Sequence, residues 1–418
     1  MSHGAPHRDM SEAEISSITY RFERWRAVSS GILETAASTF LLLIAVRWLH
    51  AGATAKALIA GGGSLGLVLS PAVVSFVSTT GRPTAYAASR LAIFGALCFL
   101  VMAAFPVLPV FMIGSVLALT ASTAAIPLFT QIYQENYPAR SRGNLFSRTV
   151  IIRIGTAALF SELAGRALAH RMESYRILLL VFAGAYGFAA FCINHYPSRP
   201  LTETGGAHPL RALRFAREDP LFRRTLICWM LMGFANLMML PMRVEYLAHP
   251  RYGLSLSIEE IAFLTGVLPN LARLLVSPIW GHLFDRMNFF VLRITLNLGF
   301  AIGILSFFTS NDLPGWVFGA ISFGISNAGG DVAWSLWVTK FAPPEHVADY
   351  MSVHTFFTGL RGIVAPLIAF HLVTHFSMIA LGWFCAALIV LASAMLIPEI
   401  RSGRAGRRAE PAVEEVSE

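Results

Sequence analysis

The sequence predicts an all-α integral membrane protein with twelve transmembrane helices, arranged as two pseudo-symmetric six-helix bundles. Apolar residues make up 55% of the chain and charged residues only 13%, whereas soluble domains contain about 25% charged residues. The mean hydropathy is accordingly high, at +0.61. A short sequence also repeats, because Val68-Leu69-Ser70-Pro71 returns as Leu275-Val276-Ser277-Pro278, 207 residues later. Since such a repeat within apolar stretches is typical of duplicated membrane proteins, we predict two related halves.

Twelve stretches are long enough to cross a bilayer, because a hydrocarbon core of about 30 Å needs roughly 20 helical residues. The predicted spans are 28–49, 54–79, 84–105, 107–133, 143–170, 173–195, 223–248, 258–284, 288–310, 312–342, 346–373 and 376–398. The resulting domains are an N-terminal segment (1–27), a first bundle (28–195), a polar linker (196–222), a second bundle (223–398) and a tail (399–418).

Arginine and lysine residues predict the orientation, because positively charged loops remain on the cytoplasmic side of a membrane. They follow the even-numbered spans, as at Arg82, Arg286 and Lys340, and they are frequent in the linker and the tail. Both termini are therefore predicted to be cytoplasmic, in a bacterial inner (plasma) membrane. The net charge of +8 suits membrane lipid headgroups, and no nucleic-acid partner is expected. Within the linker, residues 209–217 predict a short helix that lies on these headgroups.

A hexapeptide between spans eight and nine carries a family resemblance. Gly281 to Arg286 reads Gly-His-Leu-Phe-Asp-Arg, and it resembles the G-x-L-a-D-R-x-G signature of the major facilitator superfamily, found in loop 2–3 and more weakly in loop 8–9. The glycine allows close helix approach, and Asp285 is able to cap a neighbouring helix N-terminus and to pair with an arginine. The twelve spans, the polar linker and the run from Pro138 to Gly143 are also similar to this superfamily.

The resemblance covers residues 28–398 and implies two six-helix bundles around a central cavity that opens alternately to each side of the membrane. It also implies a gating or conformational role for the signature positions. These positions are Gly281, Asp285 and Arg286 in the second copy, and Gly81 and Arg82 in the first. The first copy departs from the signature, because Val74, Ser78 and Thr79 stand where Gly, Asp and Arg are expected.

Two arginines inside the spans are the main candidates for substrate binding. A charge at the bilayer centre costs about 2.5 to 3.5 kcal/mol or more, so it needs a partner or a water-filled cavity. Arg153 lies about ten residues into span five, roughly 15 Å deep at 1.5 Å per residue, and Arg361 occupies the equivalent place in span eleven. Two guanidiniums facing one cavity would suit a carboxylate or a phosphate. The alternative is that each arginine ties helices together through an acid or through backbone carbonyls.

Three titratable residues are candidates for proton coupling. Glu34 in span one and Asp331 in span ten lie at comparable depth, so either acid is able to pair with Arg153 or Arg361 and to release it on protonation. Asp331 is the first choice, because neighbouring glycines permit close backbone approach. His354 lies seven residues before Arg361 on the same helical face. The alternatives are a permanent ion pair for the acids and hydrogen-bonded packing for the histidine.

Polar side chains in spans seven, eight and ten are further candidates for substrate contact, namely Asn236, Asn270 and Trp334. Interhelical hydrogen bonding and aromatic packing explain them equally well. Arg47 and Arg243 are a second symmetric pair, near the outer ends of spans one and seven. This position favours the interpretation that Arg47 and Arg243 are snorkelling anchors or outer-gate residues.

Together these features predict a secondary transporter and not an enzyme. The expected substrate is a small polar organic solute, for which Arg153 and Arg361 favour an anion, and protons are the candidate coupling ion. No Walker loop is present, the four cysteines are scattered, and no cofactor or metal is expected. The chain is expected to be a monomer. Two alternatives use the same fold: an exporter of amphipathic compounds or lipids, and a non-transporting membrane sensor or scaffold.

Overall fold

The structure is a computed structural model. It describes residues 10–41, 44–45, 48–51, 53–201, 210–248, 252–254, 256, 260, 263–373 and 375–401. Arg47, one of the predicted outer arginines, lies outside the described residues.

Twelve long helices run through the described part of the chain, and they confirm the twelve-helix prediction. The first six are α1 (Glu12–Thr35, continued by a π-helical turn, Ala36–Phe40), α2 (Ala53–Thr79), α3 (Thr84–Ala104), α4 (Leu108–Asn136), α5 (Arg142–His170) and α6 (Tyr175–Asn194). The second six are α7 (Pro220–Ala248), α8 (Phe263–Arg286, beginning with a π-helical turn, Phe263–Val267), α9 (Phe289–Thr309), α10 (Leu313–Leu336), α11 (Val347–Leu372) and α12 (Met378–Ala394).

The first helix begins earlier than predicted, at Glu12 and not near residue 28. Ser11 and Glu14 form a capping box, in which the Ser11 hydroxyl accepts from the Glu14 backbone N–H and the Glu14 carboxylate accepts from the Ser11 backbone N–H. This arrangement satisfies two of the free N–H groups at a helix start. The polar turns before the apolar stretch are therefore helical as well.

Seven helices of the described residues are long and apolar enough to cross a membrane by composition: α2 (from Gly61), α3, α4, α6, α8, α9 and α12. The other five helices, α1, α5, α7, α10 and α11, carry the arginines and acids that the sequence placed inside the spans: Glu34, Arg153, Arg243, Asp331 and Arg361. Charged side chains in a spanning helix need partners or water, so these five are where a functional site is expected.

Helix packing repeats between the two halves of the chain. In the first half α1 packs on α6, α6 on α3, α3 on α4, and α4 on α2. In the second half the same order recurs six helices later, with α7 on α12, α12 on α9, α9 on α10, and α10 on α8. The repeated sequence therefore corresponds to a repeated arrangement of helices.

Contacts divide the chain into two compact units. Unit 1 comprises residues 1–138, 148–214 and 344–360, and unit 2 comprises 139–147, 215–343 and 361–418. The first residues of α5 thus belong to unit 2, and α11 belongs to unit 1 as far as Leu360. The predicted domain boundaries at 28–195 and 223–398 stay a prediction.

Candidate functional site

Arg153 of unit 1 lies against Glu34. Its Nε is 3.1 Å from the Glu34 Oε2, and the two side chains are 31% and 38% exposed. Helices α1 and α5 approach closely at Gly31, where a Cβ would lie 2.5 Å from the Arg153 carbonyl oxygen. The π-helical turn Ala36–Phe40 follows directly in α1, and such turns are frequent at functional sites. This is one of the pairings that the sequence left open for Arg153.

Arg361 of unit 2 makes a different contact. Its Nη1 donates a short hydrogen bond to the backbone carbonyl oxygen of Trp229 in α7. Gly233, one turn further along α7, provides the space, because a Cβ there would collide with the guanidinium. The buried Nε of Arg361 has no hydrogen-bond partner within the described residues. The alternative in which Arg361 binds a backbone carbonyl therefore holds for its Nη1, whereas its Nε stays without an acceptor in the described chain.

Asp331 pairs with neither of the two predicted arginines. It accepts a 2.5 Å hydrogen bond from the Nε of Arg273 in α8, and the side chains of Arg273 and Asp331 are 17% and 24% exposed. The prediction that Asp331 faces Arg153 or Arg361 is thus wrong. The reason is the close contact of α8 with α10 at Gly324, where a Cβ would collide with the Pro269 carbonyl oxygen. This contact brings the guanidinium of Arg273 on α8 next to Asp331.

Arg293 in α9 is a buried arginine that the sequence analysis missed. Its residue is 2% exposed, and its Cζ lies 3.8 Å from the centre of the Trp229 ring. The signal was available, because Arg293 falls inside the predicted span 288–310, where a charge is costly. Arg243 in α7 is likewise 8% exposed, with its Cζ 4.3 Å from the Phe323 ring centre, so the snorkelling interpretation is wrong for it.

The remaining candidates lie in different surroundings. In unit 2 the Asn236 Nδ2 is 3.0 Å from the Met232 sulfur, while its buried Oδ1 has no partner in the described chain. Asn270 is exposed on α8, and Trp334 is partly buried in α10. His354 is fully buried in unit 1, whereas Arg361 belongs to unit 2.

Asp285, at the end of α8, closes the N-terminus of α5. Its two carboxylate oxygens accept from the backbone N–H groups of Gly143 and Asn144, at 2.7 and 2.9 Å. A carboxylate is favourable there, because a helix start carries unsatisfied N–H groups and a partial positive charge. One turn earlier, Gly281 lies so close to Ser147 that a Cβ would collide with its hydroxyl. Arg286 is exposed.

The corresponding place in the first half contains a substitute for the missing acid. Ser78 accepts a 2.6 Å hydrogen bond from Arg211 of the linker, and Arg211 also lies 3.9 Å from Asp349 in the first turn of α11. Gly81 adopts a positive φ of 61° in the turn after α2. Arg82 is exposed there, with its Cζ 5.0 Å from the Tyr86 ring centre.

The linker is helical, as predicted, and its position on lipid headgroups stays a prediction. It forms a 3₁₀ turn, Arg211–Leu213, followed by a short helix, Arg214–Glu218. Arg211 and Ala212 are buried, because the guanidinium inserts between the end of α2 and the start of α11. The exposed residues of the short helix are Arg214, Arg217 and Glu218.

Helices α2 and α11 also contact each other directly. The hydroxyls of Ser70 and Thr355 share a short hydrogen bond, and Ser70 donates to the Ser352 carbonyl oxygen at 3.2 Å. At Gly359 a Cβ would lie 2.7 Å from the Ser64 carbonyl oxygen. Ser70 belongs to the repeated sequence, so the repeat includes a residue that joins the two helices.

A buried cluster near the start of α1 was also missed. Glu23 is 1% exposed and accepts hydrogen bonds from Arg26, Tyr133 and Tyr196. Burial, with the charge of Glu23, raises the pKa of Tyr196 well above its ordinary value, so this hydroxyl keeps its proton and continues to donate. Each of these side chains is hydrogen-bonded within the cluster. The cluster therefore holds α1, α4 and the chain after α6 together.

Comparison with known proteins agrees with this architecture. Residues 254–416 match the family model of the Major Facilitator Superfamily. Comparison with curated protein sequences gives no match.

Solved structures with the same fold cover nearly the whole chain. The human organic anion transporter MFSD10 (TETRAN) has a TM-score of 0.71 at 14% identity, covering 93% of this chain and 100% of its own. The proton:xylose symporter XylE has a TM-score of 0.66 at 16% identity, covering 92% and 95%. The Escherichia coli fucose:proton symporter FucP has a TM-score of 0.68 at 13% identity, covering 92% and 98%.

The fold of the chain is the fold of these solved transporter structures. The sequence match to the Major Facilitator Superfamily extends over residues 254–416, in the second half of the chain.

Proposed function

We propose that the protein is a secondary transporter that moves a small polar organic anion across the membrane by alternating access. The single observation that carries the proposal is Arg361, whose guanidinium is bound by one backbone carbonyl and retains a buried, unsatisfied Nε in the described chain. Arginine does not lose its charge in proteins, so this group favours a negatively charged ligand. The name of MFSD10, an organic anion transporter of the same fold, supports this class of substrate.

One of two carboxylates is proposed to couple transport to protons, with Asp331 as the first choice and Glu34 as the alternative. Asp331 with Arg273, and Glu34 with Arg153, are ion pairs that remain partly exposed. Protonation of a carboxylate removes its attraction for the guanidinium and frees the arginine. XylE and FucP are named as proton symporters, which is consistent with such coupling. His354, fully buried in α11, is proposed as a second-rank titrating group.

Gating is assigned to the two helix-end contacts, in which Asp285 caps α5 and Arg211 joins Ser78 to Asp349. Each contact would break when the transporter exposes the other side of its substrate site. Gly81, Arg82, Gly281 and Arg286 are proposed to support these turns. We propose that the protein is a monomer in the inner membrane of a bacterial cell. Both termini are proposed to lie in the cytoplasm.

Counterflow in proteoliposomes tests the proposal. Purified protein is reconstituted with a panel of labelled organic anions and neutral sugars, and exchange is measured for wild type, Arg361→Ala and Arg153→Ala. Arg90→Ala is the control, because Arg90 is an exposed arginine on α3. We expect exchange of at least one anion, which Arg361→Ala reduces more than tenfold and Arg90→Ala leaves unchanged. Absence of exchange for every solute would instead favour a sensor or scaffold.

A further inference from the structure

Arg293 is a buried cation of unit 2 that has no role in the proposed transport cycle. It is 2% exposed, and neither of its terminal nitrogens has a hydrogen-bond partner within the described residues. Its guanidinium lies over the face of Trp229, 3.8 Å from the ring centre. A ring face attracts a cation, but it offers nothing to the N–H groups that point outward in the guanidinium plane.

Arg361 converges on the same residue. It donates to the backbone carbonyl oxygen of Trp229 while Arg293 covers the ring of that residue. Two guanidiniums from different helices, α9 and α11, thus contact the same residue of α7.

Such an arrangement is unfavourable without a counter-charge. Like charges repel strongly where water is excluded, and buried N–H groups without acceptors lose their hydration. A lysine would be able to release its proton, but arginine remains charged. Among the described residues neither arginine forms an ion pair with an acid. An anion from outside the chain would supply both the counter-charge and the missing acceptors.

We propose that Arg293 and Arg361 form an oxyanion site beside Trp229, which binds the carboxylate or phosphate group of a ligand. A guanidinium presents paired N–H groups that match the two oxygens of such a group. The inference rests on the proposed function through Arg361, and it deepens that function by naming the chemical group and adding Arg293 as its second ligand. The same group occurs on a transported solute and on a phospholipid headgroup.

The test measures anion binding without transport. Full-length protein in a zwitterionic detergent is titrated with inorganic phosphate at constant ionic strength, with chloride as the compensating ion, and Trp fluorescence and the Tm are followed. A second arm adds phosphatidylglycerol or phosphatidylcholine in nanodiscs. Arg293→Gln is compared with wild type and with Arg90→Gln. Arg90 is a matched control, because it lies in the equivalent helix α3 with its Cζ 4.6 Å from the Tyr86 ring centre but is exposed.

We expect a saturable rise in the Tm with phosphate that chloride does not produce. Arg293→Gln should weaken the apparent Kd at least tenfold, and Arg90→Gln should leave it unchanged. A response to phosphatidylglycerol alone, lost in Arg293→Gln, would support the same site with a lipid headgroup as its ligand. An equal response of Arg293→Gln and wild type would overturn the inference. The absence of a saturable response of wild type in both arms would also overturn it, and this outcome does not depend on the folding of any variant.

The outcomes separate this site from the transport proposal. Anion exchange that Arg361→Ala abolishes, together with phosphate binding that Arg293→Gln does not change, would retain the transporter and reject the oxyanion site. Saturable binding that depends on Arg293, without exchange of any solute, would retain the site and reject transport. If Arg293→Gln fails to fold, Arg293→Lys takes its place, because it keeps the charge and loses the paired N–H geometry.

Discussion

Ser78 accepts a 2.6 Å hydrogen bond from Arg211, at the position where the second half of the chain carries Asp285. The acid that the signature lacks in the first half is present on the opposite helix, because Asp349 of α11 lies 3.9 Å from the same guanidinium. A linker arginine thereby joins α2 to α11. In the second half the aspartate of α8 contacts the backbone of α5 directly.

The Arg211 contact predicts a stability loss in Arg211→Ala. The substitution removes a cation from a site where Asp349 is 4% exposed, and breaking a buried pair in this way costs about 3 to 5 kcal/mol. A lower Tm in detergent is the expected result. Arg217→Ala is the control, because that side chain is exposed on the next short helix of the linker. Equal Tm values for the two variants would contradict the contact.

Asp285→Ala should destabilise the start of α5. It removes the acceptor for the N–H groups of Gly143 and Asn144, and loss of a helix cap costs about 0.5 to 2 kcal/mol. Hydrogen exchange should increase at these two amides. His282→Ala, an exposed change on the preceding turn of α8, should leave that exchange unaltered. Unchanged protection in Asp285→Ala would show that the cap is dispensable.

Gly233→Ala should displace Arg361. The new methyl group would collide with the guanidinium, so the hydrogen bond to the Trp229 carbonyl oxygen must break. We expect anion exchange to fall more than tenfold while the protein remains folded. Gly184→Ala is the matched control, because no atom lies within 4 Å of a Cβ at that helical glycine. Wild-type exchange in Gly233→Ala would argue against Arg361 as a substrate ligand.

Asp331→Asn should uncouple transport from protons. The amide retains the shape of the side chain but loses the charge that pairs with Arg273, so uptake should no longer depend on a pH gradient, while counterflow at equal pH continues. Glu34→Gln, which alters the Arg153 pair, is expected to keep the dependence. The reverse pattern would assign coupling to Glu34.

The sequence by itself determined the helices and their repetition. Apolar length is a local property, so the twelve spans follow from counting residues against the thickness of a bilayer. The predicted depth of Arg153, Glu34 and Asp331 rests on the same counting, because each residue adds about 1.5 Å of rise. The cap that Asp285 provides was also accessible, since the signature places an acid directly at a helix end.

Only the tertiary structure decided which charged groups meet. The partner of a charged side chain depends on the rotation of each helix about its axis and on how closely two backbones approach. Counting residues along a span gives neither quantity. Contact at Gly324 brings Arg273, and not Arg361, to Asp331. Arg211 finds Ser78 across 133 residues of chain, and Arg293 finds Trp229 in another helix. These long-range pairings arise from packing, because the neighbouring helices determine which ring or hydrogen-bond acceptor lies within reach of a buried guanidinium.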